Sequence, residues 1–128
     1  MRVLVTGGTG YVGSHAVAAF VAAGHDVVVL ARDPAKVARV FSEGDRSAIA
    51  DAVEVVAGDM TDTRAVTQAL EGCDAVLHAA AAVGVTDAGS PVGQNLAGTE
   101  TVVGGAAAAG IDPILYPPSE AVLYPPVQ

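Results

Sequence analysis

Residues Thr6-Gly7-Gly8-Thr9-Gly10-Tyr11-Val12-Gly13 place four glycines between a β-branched run and a stretch of helical apolar spacing. Before them, Arg2–Thr6 (RVLVT) reads as a short buried strand. After them, Val12, Ala16, Ala19, Phe20 and Ala23 recur at helical spacing over residues 11–23, and Gly24 stops the helix. Gly8, Gly10 and Gly13 satisfy G-x-G-x-x-G, while Gly7, Gly10 and Gly13 satisfy T-G-x-x-G-x-x-G. In such a loop the first glycines permit the tight turn, and Gly10 lets the backbone approach a pyrophosphate. Gly13 then lets the helix lie close to the strand. N–H groups at the helix start face the phosphate, aided by the helix dipole. A P-loop is excluded, because Ser14 follows Gly13 with no lysine between them. A glycine-rich turn without a ligand is the competing reading.

The rest of the chain repeats the strand–helix alternation. Asp26–Ala31 (DVVVLA) is a second apolar strand, and Pro34 opens a short helix with Val37, Val40 and Phe41 facing inward. Residues 42–51 are polar and glycine-containing, which predicts a loop. Val53–Ala57 is a third strand, and Thr61 or Asp62 caps a helix that buries Ala65, Val66, Ala69 and Leu70. Residues 74–78 (DAVLH) form a fourth strand, 84–93 a loop with Pro91, and 92–109 a long helix ended by Gly110. Residues 114–116 form a fifth strand. Continuous apolar strands with helical crossovers predict an α/β fold with a parallel sheet covered on both faces. With the glycine loop, this is a Rossmann-type doubly wound sheet of five strands in the order 3-2-1-4-5. Residues 1–128 are expected to form a single such domain.

Composition narrows the function classes. Apolar residues make up 52% but aromatics only 4%, so the core is expected to be aliphatic. A net charge of −8, from 14 acidic and 6 basic residues, repels phosphate backbones and anionic lipid. Nucleic-acid and membrane-surface binding are therefore not expected as main roles. No apolar run reaches the roughly 18 residues of a membrane span. Only Met1 precedes the Arg2–Thr6 strand, which leaves no room for a signal peptide, and a cytoplasmic location is expected. Cys73 is the sole cysteine, so neither an internal disulfide nor a thiolate zinc site is available, and no metal is expected. It reads as a half-buried structural residue.

TGGTGYVG resembles the cofactor loop of the extended short-chain dehydrogenase/reductase family, which includes epimerases, dehydratases and reductases. The resemblance continues through GDMTD (58–62), DAVLHAAA (74–81), and Asn95 with Gly98-Thr99 in the long helix. ILYPPSEAVLYPP is similar to the family's fifth strand in a degraded form. The likeness covers the whole chain and implies the N-terminal, NAD(P)-binding part of an oxidoreductase or epimerase, incomplete relative to the family.

Family members that prefer NAD carry an acid at the end of the second strand to bond the ribose 2′-hydroxyl. Here Ala31 holds that position and Arg32 follows, and a guanidinium suits a 2′-phosphate. NADP is thus expected, with NAD as the alternative. Asp33, if turned to the ribose, is the competing feature. The resemblance further implies that Asp59 accepts a hydrogen bond from the adenine amino group and that the Met60 backbone contacts the ring. It places Ala79, Ala80 and Ala81 against the pyrophosphate and nicotinamide ribose, and adds Gly7, Gly10, Tyr11, Val12 and Gly13 from the loop. His78 reads as a core histidine, and His15 and His25 carry no evident chemistry.

Family members transfer hydride with a serine or threonine and a Y-x-x-x-K pair, the lysine lowering the tyrosine pKa. None of Tyr11, Tyr116 and Tyr124 has a lysine four residues on, and Lys36 is the sole lysine. Pro117-Pro118-Ser119 stands where the family has valine-serine-serine, leaving Ser119 as the candidate catalytic serine. Two function classes follow: the cofactor-binding part of an enzyme, or a non-catalytic NADP(H)-binding or interaction module. A small-molecule substrate belongs only to a complete parent protein, and a homodimer through the 92–109 helix is the expected assembly.

Overall fold

The computed structural model describes residues 1–41, 47–79 and 90–115. Strands and helices alternate through them: β1 (Arg2–Thr6), α1 (Tyr11–Ala22), β2 (Asp26–Ala31), α2 (Pro34–Val40), α3 (Ser47–Ala52), β3 (Val53–Ala57), α4 (Thr63–Leu70), β4 (Ala75–His78), α5 (Ser90–Ala108) and β5 (Ile114–Leu115). The strands form one parallel sheet in the order β3-β2-β1-β4-β5, as the sequence predicts. Register brings the strand exits level. Thr6 lies opposite both Leu30 and His78, and Ala31 lies opposite Ala57.

Strand side chains alternate between two cores. Leu4, Val28, Leu30, Val56 and Val76 pack with Ala65, Val66, Ala69 and Leu70 of α4 and with Val102 and Ala106 of α5. Val3, Val5, Val27, Val29 and Leu77 pack on the other face with Val17 of α1, Val37 of α2 and Phe41. Burial on both faces explains the unbroken apolar runs. Each fully buried valine or leucine contributes about 1.5–3 kcal/mol relative to exposure.

Helix ends follow their sequence signals. The Asp62 carboxylate accepts the N–H groups of Arg64 at 3.0 Å and Ala65 at 3.4 Å, so Asp62 rather than Thr61 caps α4. After α1, Gly24 takes φ +87° and the His25 N–H donates to the Phe20 carbonyl at 3.0 Å.

Several expected bounds need correction, among them the fourth strand, which starts at Ala75 rather than at residue 74. Residues 47–52 are the helix α3, not loop. Ala48, Ala50 and Ala52 favour helix, and Ile49 and Ala50 pack on the α1–α2 core. The long helix starts at Ser90, two residues early, with Pro91 in the first turn, where a missing N–H breaks no intrahelical bond. It ends at Ala108, one residue short of the expected end. Of the expected 84–93 loop, residues 84–89 lie outside the described residues, as do 42–46 and Tyr116. Among the described residues no helix is long and apolar enough to cross a membrane.

Candidate functional site at the strand exits

A cleft of about 350 Å³ opens over the C-terminal ends of β1, β2 and β3 and reaches Ala79 after β4. It lies where the strand order reverses direction at β1, the position at which open α/β sheets bind ligands.

The glycine loop forms one wall. Gly7 takes φ +73°, and its carbonyl accepts the Gly10 N–H at 3.0 Å. The Ser14 N–H donates to the Gly10 carbonyl at 2.8 Å and starts the α1 ladder. Gly13 lies beneath this turn: an added Cβ would collide with the Gly7 carbonyl, 2.6 Å from its carbon. At Gly10, by contrast, an added Cβ would meet only the Gly7 oxygen at an ordinary 3.5 Å. Gly10 is the N-cap of α1 in an extended conformation, and no side chain caps the helix. The first-turn N–H groups of Tyr11, Val12 and Gly13 precede any intrahelical acceptor. Tyr11 opens the helix and Val12 is half exposed beside the loop.

The second wall comes from β2 and α2. Arg32 and Lys36 both border the cleft, and the Arg32 side chain is 74% exposed. Asp33 also borders it, but Oδ1 accepts the Ala35 N–H at 3.1 Å as the α2 N-cap. Its Oδ2 lies 3.6 Å from the Arg39 guanidinium. Both carboxylate oxygens are thus engaged with α2.

The exit of β3 closes the cleft. The Gly58 N–H donates to the Ala31 carbonyl at 2.9 Å, tying this exit to that of β2. Asp59 Oδ1 accepts both the N–H and the hydroxyl of Thr61, each at 2.9 Å. The backbone bond from Thr61 is the main cause holding the Asp59 carboxyl below its usual range, with Arg32 contributing less. Asp59 Oδ2 sits 3.9 Å from Arg32. Asp59 is therefore a turn-forming acid that also lines the cleft, next to half-buried Met60.

His78 is a core residue. It is 1% exposed, with Nδ1 2.7 Å from the buried Thr6 hydroxyl and Nε2 3.1 Å from the Thr99 hydroxyl. Burial pulls its pKa below the ordinary imidazole value.

The structure thus gathers Gly7, Gly10, Arg32, Asp59, Met60 and Ala79 around one cleft. Ala80, Ala81 and Ser119 lie outside the described residues. Sequence reasoning missed Lys36, Thr6 and Thr9 as lining residues. Lys36 lies in α2 while Arg32 precedes that helix, so no helical spacing links the two cations and their meeting at the cleft had no local sequence signal. A second cavity of about 380 Å³ lies between α4 and the end of α5, beside Cys73. There the thiol donates to the Ala69 carbonyl at 3.3 Å, and burial raises its pKa, which makes it a poor nucleophile.

Sheet order, paired helical layers and a glycine turn at the switch point define a Rossmann-type α/β domain. The chain belongs to the NAD dependent epimerase/dehydratase family, whose model matches residues 3–128. A ketoreductase of 4-hydroxy-2-methyl-3-oxo-4-farnesyl-3,4-dihydroquinoline-1-oxide from Stigmatella aurantiaca is 32% identical, over 96% of this chain and 35% of its own length. A UDP-glucose 4-epimerase from Azospirillum brasilense is 34% identical, over 98% of this chain and 35% of its own. Among solved structures, a UDP-glucose-4-epimerase from Stenotrophomonas maltophila with bound NAD superposes with a TM-score of 0.74 at 30% identity. That match covers 91% of this chain and 36% of the epimerase. The chain therefore spans about a third of the length of these relatives.

Proposed function

We propose that this chain is the dinucleotide-binding part of an oxidoreductase or epimerase and holds its cofactor in the strand-exit cleft. The carrying observation is the contrast within the glycine loop. The fold itself requires glycine at 13, whereas at 10 it leaves room for a side chain. A ligand phosphate over the uncapped start of α1 supplies the reason for glycine at 10. The NAD-bound epimerase structure shares this fold, which supports the reading.

NADP(H) is the preferred form in this proposal. Ala31 offers no carboxylate to a ribose 2′-hydroxyl, Asp33 is engaged with α2, and Arg32 and Lys36 put two cations on the rim. Asp59 and Met60 form the adenine end, and Ala79, with Ala80 and Ala81 beyond it, the nicotinamide end. The small-molecule substrate is served by more chain than these residues. Within the 128 residues no tyrosine has a lysine four positions on, so the chain binds cofactor without turning it over. Ser119, the serine candidate, lacks that pair.

Calorimetry with NADPH and NADH, with an absorbance assay over nucleotide sugars and ketones, tests both parts. Binding without NADPH consumption is expected. Steady consumption by the 128-residue chain overturns the non-catalytic part, and absence of binding overturns the whole.

A further inference from the structure

A glycine in the described inner face of α5 has no backbone reason to be there. Gly98 is helical, and alanine at such a position favours a helix over glycine. Its reason is space. A Cβ on Gly98 would lie 2.5 Å from both Cγ and Sδ of Met60 and 2.7 Å from Cε, so the Met60 side chain lies across the Gly98 backbone. Six residues on, Gly104 of the same helix has nothing within 4 Å of the same point. Met60 is packed on one side by the α4–α5 core and borders the cleft on the other. Any group that displaces it from α5 drives it toward the cleft.

The next residue of α5 reaches the cleft by a different route. The Thr99 hydroxyl is 3.1 Å from His78 Nε2, and His78 Nδ1 is 2.7 Å from the Thr6 hydroxyl. Thr6 ends β1, borders the cleft and leads directly into Gly7. One turn of α5 thus touches both sides of the site: the β3 exit through Met60, and the β1 and β4 exits through His78 and Thr6.

We propose that Gly98 and Thr99 are positioning residues for the dinucleotide, Gly98 by setting where Met60 stands at the adenine end and Thr99 by fixing the β1 exit through His78. The inference rests on the dinucleotide reading above. Because Met60 is flexible and has the cleft beside it, Gly98→Ala acts on affinity more than on folding.

The chain has two methionines, Met1 and Met60, so methionine-methyl labelling yields two NMR signals. In the unaltered chain 5′-AMP should shift the Met60 methyl. Gly98→Ala should shift that signal without nucleotide and weaken 5′-AMP and NADP⁺ about tenfold, the low end of an overpacking cost. In a Met60→Ala background Gly98→Ala should cost no further affinity. Thr99→Val should weaken NADP⁺ while Thr99→Ser retains it. If Gly98→Ala fails to fold, Met60→Ala must restore folding, and failure to do so overturns the proposal. Equal losses in both Met60 backgrounds, no loss in either, or Thr99→Val binding like Thr99→Ser also overturn it. If the unaltered chain binds neither nucleotide, the dinucleotide reading fails and takes this inference with it. Normal binding with variants indistinguishable from it defeats this inference alone.

Discussion

A side-chain carbon on Gly13 would fall on the carbonyl of Gly7, whose own φ of +73° turns that carbonyl under the start of α1. Gly7 makes the turn and Gly13 accepts its consequence. Gly13→Ala should therefore destabilise the fold by about 1–3 kcal/mol, the cost of overpacking a rigid backbone contact. Gly10→Val should leave the fold intact, because an added Cβ has room there, and should abolish dinucleotide binding. Thermal melts with calorimetry on both variants check this. A Gly10→Val protein that binds normally would place the site elsewhere and leave the loop as a structural turn.

Cofactor choice should turn on Arg32. Its ion pair with Asp59 is long, at 3.9 Å, and exposed, so losing it alone has little effect on stability. Arg32→Ala should weaken NADP(H) by about 1.5–3 kcal/mol, the scale of a hydrogen bond to a charged group, and leave NAD(H) nearly unchanged. Ala31→Asp should shift preference toward NAD(H). Equal losses for both cofactors in Arg32→Ala would show that this guanidinium does not read the 2′-phosphate.

Buried His78 makes stability depend on pH in a defined direction. Above its ordinary pKa of 6.5 the ring is neutral in both folded and unfolded chains, and no penalty arises. As pH falls through that value the unfolded chain takes up the proton first, because burial depresses the folded pKa. Stability contributed by the neutral ring is lost until pH reaches the lower folded value, and then levels off. NMR titration of the ring, with melts between pH 7.5 and 5 (roughly the range over which imidazole titrates), reads both quantities. A His78 ring that titrates at or above the ordinary value would contradict the burial argument.

Strands and the helix faces between them were legible wherever apolar period and punctuation agreed. β1, β2 and β3 match their expected bounds, and the inner face of α4 is the expected Ala65, Val66, Ala69 and Leu70. α3 was not legible, because its six residues hold less than two turns of period and adjoin a polar, glycine-bearing stretch. Pro91 misled in the opposite way: proline marks a loop and a first helical turn equally well. At the site, the glycine loop and Arg32 were visible as types at fixed spacing. The engagement of Asp33 with α2, the seat of Met60 on Gly98, and the Thr6–His78–Thr99 link were not. The last two depend on contacts across 21 to 72 positions of chain that no local pattern encodes, while the first joins a local N-cap bond to Ala35 with an ion pair six positions on.

Self-association through α5 is the remaining expectation, and the structure divides its small residues by direction. Gly98 and Gly105 face the chain's own interior: a Cβ added on Gly105 would lie 3.0 Å from Leu70 Cδ1 and 3.6 Å from Val66 Cγ1. Ala97, Glu100, Gly104, Ala107 and Ala108 are exposed on the opposite side. Small side chains there allow a second helix to approach closely, since interaxial distance follows the size of the contacting groups. Glu100 and a net charge of −8 oppose the approach, so added salt should strengthen it. Gly104→Arg tests the face without disturbing the fold, because nothing lies within 4 Å of the new Cβ. Sedimentation velocity at several protein concentrations, in low and high salt, should show reversible dimerisation that Gly104→Arg removes. A monomer independent of concentration at both salts, or a Gly104→Arg chain that still dimerises, would sink the α5 interface.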